Sequence, residues 1–475
     1  MTPLPSTWNK TRVTVMGLGS FGGGVGLARY LAAQGADVTV TDLQTAEALQ
    51  ASIEALQPLP IRFVLGEHRE QDFRDTDVVF VNPAVPPDSP YLEVARQHQV
   101  PLDSEMNLFV RQCPGRIIGI TGSVGKSTTT SFLGSILQLH DARTLVGGNL
   151  GGSLLSHLPD MKPDTLVVLE LSSFQLEQLA WQHYSPPIAL VLNLTPNHLD
   201  RHGTMAAYQH AKETILAYQT PADIAMLNWD DLTVRTMASC GQGQRLFYSM
   251  EEMLNTGIWR RDNAVVYTAA GQSSTLFHRS DLTLHGTHNL GNAAAAAGAA
   301  MRLGVPAATI ARGIHRFQGL AHRLEWIATK NGVQYYNDSK ATTPLATMRA
   351  IEAFEQPLVL LAGGYDKNTP FDDLAHMMHR RVKTAIVYGA TAPTLIKALE
   401  ATARSTPDRP SLQVIHCTDL ETALHRATPL TAPGDVVLLS PACASYDQFP
   451  HYEARGEFFR SLVQTLPEAS STSRT

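Results

Sequence analysis

The segment RIIGITGSVGKST, residues 116–128, constrains the fold of this chain more than any other. A strand-like run, Arg116–Ile120, enters Thr121-Gly122-Ser123-Val124-Gly125-Lys126-Ser127-Thr128, and helix-forming sequence follows. Glycines in such a turn let backbone N–H groups converge on phosphate oxygens, and the next helix adds the positive potential of its N-terminus. A lysine placed here reaches the terminal phosphates, and the hydroxyl beside it is a ligand for Mg²⁺. Gly122, Ser123, Gly125, Lys126, Ser127 and Thr128 are therefore candidate nucleotide-binding residues. The general phosphate-loop pattern has a further glycine where Ile120 stands, so the chain carries the shorter TGSxGKST form. A turn of this kind needs a strand before it and a helix after it, which commits the region to an α/β fold.

Strand-length apolar runs alternate with helix-length segments on both sides of the loop, as in parallel sheets covered by helices. At roughly 100 to 200 residues per domain, 475 residues predict three domains, each large enough for its own apolar core. These are a Rossmann-like domain over 1–114, a central phosphate-loop ATPase-type domain with a parallel sheet over 115–320, and a Rossmann-like domain over 321–475. In the first, strands at 12–16, 37–41 and 78–81 surround a glycine-rich turn at 17–26 and a helix at 27–34, and Pro114-Gly115 marks a boundary. In the second, strands are predicted at 116–120, 166–171, 188–192 and 224–227. Short polar-apolar alternations at 241–285 predict an antiparallel patch, and the alanine-rich segment 292–303 a tightly packed helix. After a linker near 317–322, strands at 333–337, 357–362, 384–388, 413–416 and 435–439 predict a second doubly wound sheet. The tail PEASSTSRT is polar and small, and disorder is expected there.

Composition narrows the partners. With 37 basic and 43 acidic residues, a formal net charge of -6 provides no basic field to gather nucleic acid. The four cysteines show no CxxC pair or metal-ligand spacing, which fits small core residues in a reducing compartment. The N-terminal segment lacks the apolar core of a signal peptide, and no run of 18 apolar residues follows. The expectation is a cytoplasmic, soluble protein without a membrane partner, acting on small molecules as a monomer.

Other motifs admit two readings each. Gly17-x-Gly19-x-x-Gly22, with Asp42 at the end of the next strand, matches a dinucleotide fingerprint and by itself suggests NAD. Gly23, Gly24 and Gly26 make the loop atypical, so another nucleotide or sugar nucleotide fits as well. Glu170 ends an apolar strand, as a Mg²⁺ ligand beside a phosphate loop would, or as a carboxylate facing water would. Ser172 and Ser173 lack the GxSxG elbow of a serine nucleophile. His198, in NLTPNHLDRH, is a metal or catalytic candidate or an ordinary histidine. Lys212, one turn after Tyr208 in YQHAKETIL, reads equally as a solvated helix lysine.

Taken together, these segments resemble the Mur ligase family of cell-wall synthesis, which shares three domains and ATP-dependent amide formation. The resemblance spans nearly the whole chain: the first glycine loop with Asp42, TGSxGKST, GGNLG at 147–151, ELSSFQLE, NLTPNHLDRH, YQHAK, HNLGN, GLAHR at 319–323, NDSKAT at 337–342, GGYDK at 363–367 and SPACASYDQF. The last three point to the glutamate-adding branch, and the DNPR of the diaminopimelate-adding branch is absent.

The resemblance implies roles residue by residue. Lys126 would be the phosphate lysine, with Ser127 and Glu170 holding one Mg²⁺ and His198 with Lys212 a second, Lys212 being carbamylated. Asn292, Arg323 and Asp338 would hold ATP. Asp42 and Asn82 would face a uridine nucleotide, and Asn149 the muramoyl-alanine. Lys340, Thr342, Lys367, Ser445 and Tyr452 would surround the incoming glutamate, Lys340 being placed with the catalytic groups. Val124 stands where asparagine is common, Asn82-Pro-Ala where Ser-Pro-Gly is usual, and Tyr452 where phenylalanine is common. The implied activity activates a UDP-linked alanyl carboxylate as an acyl phosphate, which the D-glutamate amine then attacks. The alternatives that stay open are a related Mur or folylpolyglutamate-type ligase adding another amino acid, L-glutamate included, a non-catalytic nucleotide-binding regulator, and an NAD-dependent dehydrogenase.

Overall fold

The computed structural model describes residues 4–5, 7–18, 22–284, 286–365, 370–405 and 412–467. Gly19, Lys367 and all but the first residue of the PEASSTSRT tail lie outside that range. The described chain forms three sheets. The first has β1 (Arg12–Met16), β2 (Asp37–Asp42), β3 (Ile61–Leu65), β4 (Val78–Val81) and β5 (Leu102–Asp103) in the order β3-β2-β1-β4-β5, all parallel. This is doubly wound order, and its switch point, where ligands of such sheets bind, lies between β1 and β4.

The second sheet contains β6 (Arg116–Thr121), β7 (Leu145–Gly148), β8 (Leu166–Glu170), β9 (Ile188–Val191), β10 (Ile224–Asn228), β11 (Gln244–Ser249), β12 (Gly257–Arg261), β13 (Ala264–Ala269) and β14 (Gln272–His278). Their order is β14-β13-β12-β11-β10-β9-β6-β8-β7. The antiparallel patch expected over 241–285 is smaller than that range. QRLFYS, which is β11, pairs parallel to β10, and among the described residues of that range only the pairs β12–β13 and β13–β14 are antiparallel. Polar-apolar alternation reports a half-buried strand in either direction. Direction is set by the connection, and β11 follows a crossover through the helix Leu232–Thr236. The alanine-rich helix, Thr287–Arg302, buries Ala293 to Ala297 completely, so its small residues bring the helix close to its neighbours.

The third sheet contains β15 (Glu325–Lys330), β16 (Val333–Asn337), β17 (Leu358–Gly363), β18 (Val382–Tyr388), β19 (Gln413–Cys417) and β20 (Val436–Leu439), in the order β15-β16-β20-β17-β18-β19. Only β15 is antiparallel to its neighbour. The strands buried on both faces, such as VVLL in β20 and LVLLAG in β17, are continuous apolar runs.

The chain divides into two compact units, Met1–Leu282 with His288–Phe317, and Thr283–Thr287 with Gln318–Thr475. In the first unit one face of the first sheet has its own cluster around Phe73 and Val79, and the other joins the second sheet's layer. Val13, Leu27 and Phe80 of the first sheet's layer share one apolar cluster with Leu155, Leu169 and Leu176 of the second. The helix Glu105–Gln112 lies at this seam, where Ser153 Oγ donates to Glu105 Oε1 at 2.7 Å. In the second unit, separate clusters around Leu360 and Leu361 fill the two faces of the third sheet. All four cysteines are free, Cys417 and Cys443 being buried. No helix among the described residues is long and apolar enough to cross a membrane.

Candidate active site

The phosphate loop leaves the carboxyl end of β6, between the parallel neighbours β8 and β9. Gly125 starts the following helix, Lys126–His140, at φ 84°, and a Cβ there would strike Asn292 Oδ1. Only glycine meets both demands without strain. Thr129 Oγ1 donates to Asn292 Oδ1 at 3.3 Å, which fixes Asn292 against the loop. Ser127 and Thr128 are buried in the first turn of the helix. Lys126 folds back over its own loop, its Nζ donating to Gly122 O at 3.0 Å and Ser123 O at 3.1 Å. Reaching a phosphate means exchanging these carbonyls for phosphate oxygens.

Glu170 ends β8 opposite Ile120 of β6, beside the loop. It is 2% exposed, so the reading of a carboxylate facing water fails. Oε1 accepts from Asn149 Nδ2 at 2.9 Å, while Oε2 is buried without a protein hydrogen-bond partner. A buried carboxylate oxygen is unfavourable unless a donor or cation meets it. Among the described residues no three His, Cys, Asp or Glu gather into a metal cluster. A carboxylate oxygen together with the Ser127 hydroxyl is nevertheless the hard oxygen set that Mg²⁺ takes alongside phosphate and water, and these residues fit it.

Lys212 is 1% exposed, which overturns the solvated-lysine reading. Tyr208 and Lys212 share one face of the helix Met205–Ala217, and the Lys212 Nζ lies 4.8 Å over the Tyr208 ring. Nζ donates to Thr121 Oγ1 at 3.2 Å and Gly122 O at 3.0 Å. Burial pulls the ammonium pKa well below its ordinary value, the Lys126 charge adds to this, and Glu170 opposes it. His198 is exposed at φ 53°, its ring 5.1 Å from Phe174 and 6.5 Å from Tyr208. The Tyr208 ring therefore touches both Lys212 and His198, and its hydroxyl lies 3.1 Å from Ser123 Oγ.

In the first sheet, Asp42 and Asn82 flank Gly17 and Leu18, which follow β1 at the switch point. Asp42 Oδ2 accepts from Leu18 N and Oδ1 from Gln44 N, both at 2.9 Å, so this carboxylate shapes the loops on either side of it. Asn82 Oδ1 accepts from Ala84 N at 3.0 Å, and Nδ2 faces Gly17 O at 3.4 Å.

In the second unit, Asp338 follows β16. Its Oδ1 accepts from Leu324 N at 3.2 Å and its Oδ2 from Ser440 Oγ at 2.8 Å. Burial pushes the carboxyl up to about 7, against these hydrogen bonds and the nearby charge of Arg323. Lys340 N donates to His322 O at 3.0 Å, its Nζ lies 5.6 Å from the Tyr452 ring, and Thr342 N returns to Lys340 O at 2.9 Å. Burial raises the Tyr452 hydroxyl to about 12. Arg455, which sequence reasoning missed, is wholly buried and donates to Ser339 Oγ and O at 2.9 Å and to Cys443 O and Ala444 O at 3.1 Å. It staples the turn carrying Lys340 to the loop carrying the buried Ser445. Asn193 and Thr121 were missed too. Both are polar residues at or just past the end of a buried strand, and both lie inside motifs read in the sequence, TGSxGKST and NLTPNHLDRH, without having been given a role there.

Three sheets, the second with a phosphate loop leaving β6 between its parallel neighbours β8 and β9, define a multidomain nucleotide-binding protein. The Mur ligase middle domain model matches residues 120–300, the Mur ligase glutamate ligase domain model 322–443, and the MurD-like N-terminal domain model 11–103. The UDP-N-acetylmuramoylalanine--D-glutamate ligase of Roseiflexus sp. is 46% identical over 465 residues, covering 96% of this chain and 98% of its own. The protein of the same name from Koribacter versatilis is 40% identical over 457 residues, with the same coverage of 96% and 98%. Among solved structures, the UDP-N-acetylmuramate-alanine ligase of Thermotoga maritima aligns over 96% of this chain and 99% of its own, with TM-score 0.62 and 18% identity, a likeness of fold. The chain belongs to the Mur ligase family.

Proposed function

We propose that this chain is a cytoplasmic, ATP-dependent ligase that adds D-glutamate to UDP-N-acetylmuramoyl-L-alanine in peptidoglycan precursor synthesis, releasing ADP and phosphate. The observation that carries this reading is identity of 46% and 40%, each over 96% of the chain, to ligases of that name. The geometry supports it. A carboxylate and an amine do not condense in water, so the acid must be activated, and activation brings two anions together. Lys126, the loop N–H groups and the start of the helix Lys126–His140 supply positive potential where phosphoryl transfer develops charge. Mg²⁺, held by Ser127 and Glu170 and at a second site by His198 with Lys212, would add charge neutralisation and orientation. The buried amine of Lys212 suits carbamylation, in which neutral Nζ bonds to the carbon of CO₂ and releases a proton.

For substrates, Asp42 and Asn82 are assigned to the uridine nucleotide and Asn149 to the muramoyl-alanine. Asn292, Arg323 and Asp338 are assigned to ATP. Lys340, Thr342, Lys367, Ser445 and Tyr452 are assigned to glutamate, whose two carboxylates need cations and hydroxyl donors. An NAD-dependent dehydrogenase would use only the first fingerprint and leave the phosphate loop, Glu170 and Lys212 without a role. The test is incubation with ATP, Mg²⁺, UDP-N-acetylmuramoyl-L-alanine and either D- or L-glutamate, scored for ADP and by chiral analysis of the hydrolysed product. ADP release that requires both acceptors, with D-glutamate incorporated, is expected. Incorporation of the L-isomer would overturn the donor assignment, and acceptor-independent or absent ADP release would overturn the ligase reading.

A further inference from the structure

Two loops leaving neighbouring strands are fastened to each other. The phosphate loop follows β6, and the segment from Asn193 to His198 follows β9, which pairs with β6 through Thr121 opposite Val191. The Asn193 amide spans the two loops with both of its groups. Oδ1 accepts from Val124 N at 2.9 Å, and Nδ2 donates to Val124 O at 3.0 Å. Ser123 N donates to Asn193 O at 2.9 Å, and Ser123 Oγ donates to Thr195 O at 2.9 Å while accepting from Thr195 N at 3.0 Å. The Val124 side chain is 56% exposed, so the loop takes its shape from this clamp and not from the packing of Val124.

Peptide planarity makes the clamp directional. Val124 C=O and Gly125 N–H belong to one trans peptide, so holding the carbonyl toward Asn193 turns the Gly125 N–H away from it. Likewise, holding Val124 N–H turns Ser123 C=O away, where Lys126 Nζ meets it. A flip of the Val124–Gly125 peptide would present a carbonyl where an anion needs a donor, and a flip of the Ser123–Val124 peptide would set its carbonyl against Asn193 Oδ1 and take it from Lys126. We propose that Asn193 is a positioning residue for the nucleotide: it fixes the two peptide planes flanking Val124, aims the Gly125 N–H at the phosphates and ties that aim to the His198 segment.

This rests on the reading that the loop binds ATP, and the experiment separates the two. Titration calorimetry of the full chain with MgADP, together with the KM for ATP and for glutamate, is measured for wild type, Asn193→Ala and Asn193→Asp. Loss of two neutral hydrogen bonds predicts a rise of about tenfold in the MgADP Kd and the ATP KM of Asn193→Ala, with the glutamate KM within about twofold of wild type. Asn193→Asp keeps the shape and the bond to Val124 N but sets a carboxylate against Val124 O, and its rise should be at least as large. If Asn193→Ala does not fold, as judged by circular dichroism melting, the isosteric variant carries the test. A merely structural residue would lower the melting temperature and leave the Kd of the folded protein unmoved. Wild-type Kd and KM values in Asn193→Asp would overturn the inference, whereas failure of the wild type to bind MgADP would overturn the ATP reading itself.

Discussion

Lys126 adds charge and two hydrogen bonds within its own loop but no core packing, so Lys126→Ala should stay folded while acceptor-dependent ADP release falls about a thousandfold, a loss of roughly 4 kcal/mol in the barrier. Unchanged turnover would remove the phosphate-loop assignment. Lys212 poses a protonation problem, because carbamylation needs the neutral amine. From an ordinary pKa near 10.4, reaching neutrality at pH 7 costs about 4.6 kcal/mol. Burial and the Lys126 charge lower that cost in the fold. Lys212→Ala should lose activity and regain part of it with added acetate or formate, and full activity without them would reject the carbamate. Asp338 has the opposite sign. Its folded value, about 7, is raised above the unfolded one, so the protonated carboxyl stabilises the fold fully below about pH 4. That contribution is lost as pH rises toward 7, an effect of order 4 kcal/mol at most. Asp338→Asn should flatten this part of the pH dependence of the denaturation midpoint, measured without nucleotide between pH 4.5 and 7.5, and an unaltered slope would contradict it.

At the scale of elements, the phosphate-loop helix Lys126–His140 is backed by the helix Ala307–Arg316, with Gly313 at their crossing. A Cβ on Gly313 would lie 2.5 Å from Ile136 Cα, a backbone atom that cannot rotate away. Gly313→Ala gains about 1 kcal/mol of helix propensity, yet the forced separation should leave it less stable by about 1–3 kcal/mol. Denaturant midpoints decide between the two, and a stabilised variant would show that the helices yield. The strands legible in the sequence are mostly interior ones, with near-continuous apolar runs. Of those missed, β3, β5, β7 and β15 all lie at sheet edges. There one flank meets solvent and the burial pattern is interrupted, as in IRFVL and EWIATK. The sequence pattern places the first glycine-loop helix at 27–34, but it runs Gly23–Ala33, because glycines that lower helix propensity are accepted where they start a helix over a turn.

For the whole molecule, the large exposed apolar residues, among them Leu43, Leu232, Met253, Trp326 and Leu345, are distributed across the three sheets' layers, and the net charge is -6. The exposed Tyr365 and Tyr446 rings pair with each other, 6.0 Å between centroids, and we propose a monomer. Sedimentation should give one species near 51.7 kDa, and a concentration-dependent species of twice that mass would refute the monomer. The sequence by itself determined the three sheets, the phosphate loop and the identity of the chemical groups, because strand periodicity, glycine spacing and residue type are local properties. Only the tertiary structure decided that the first two sheets share a core, that Glu170 and Lys212 are buried rather than solvated, and that Asn193 and Arg455 hold loops together. Burial and hydrogen-bond partnership join residues far apart in the chain, and a pKa is set by what those distant neighbours exclude or supply.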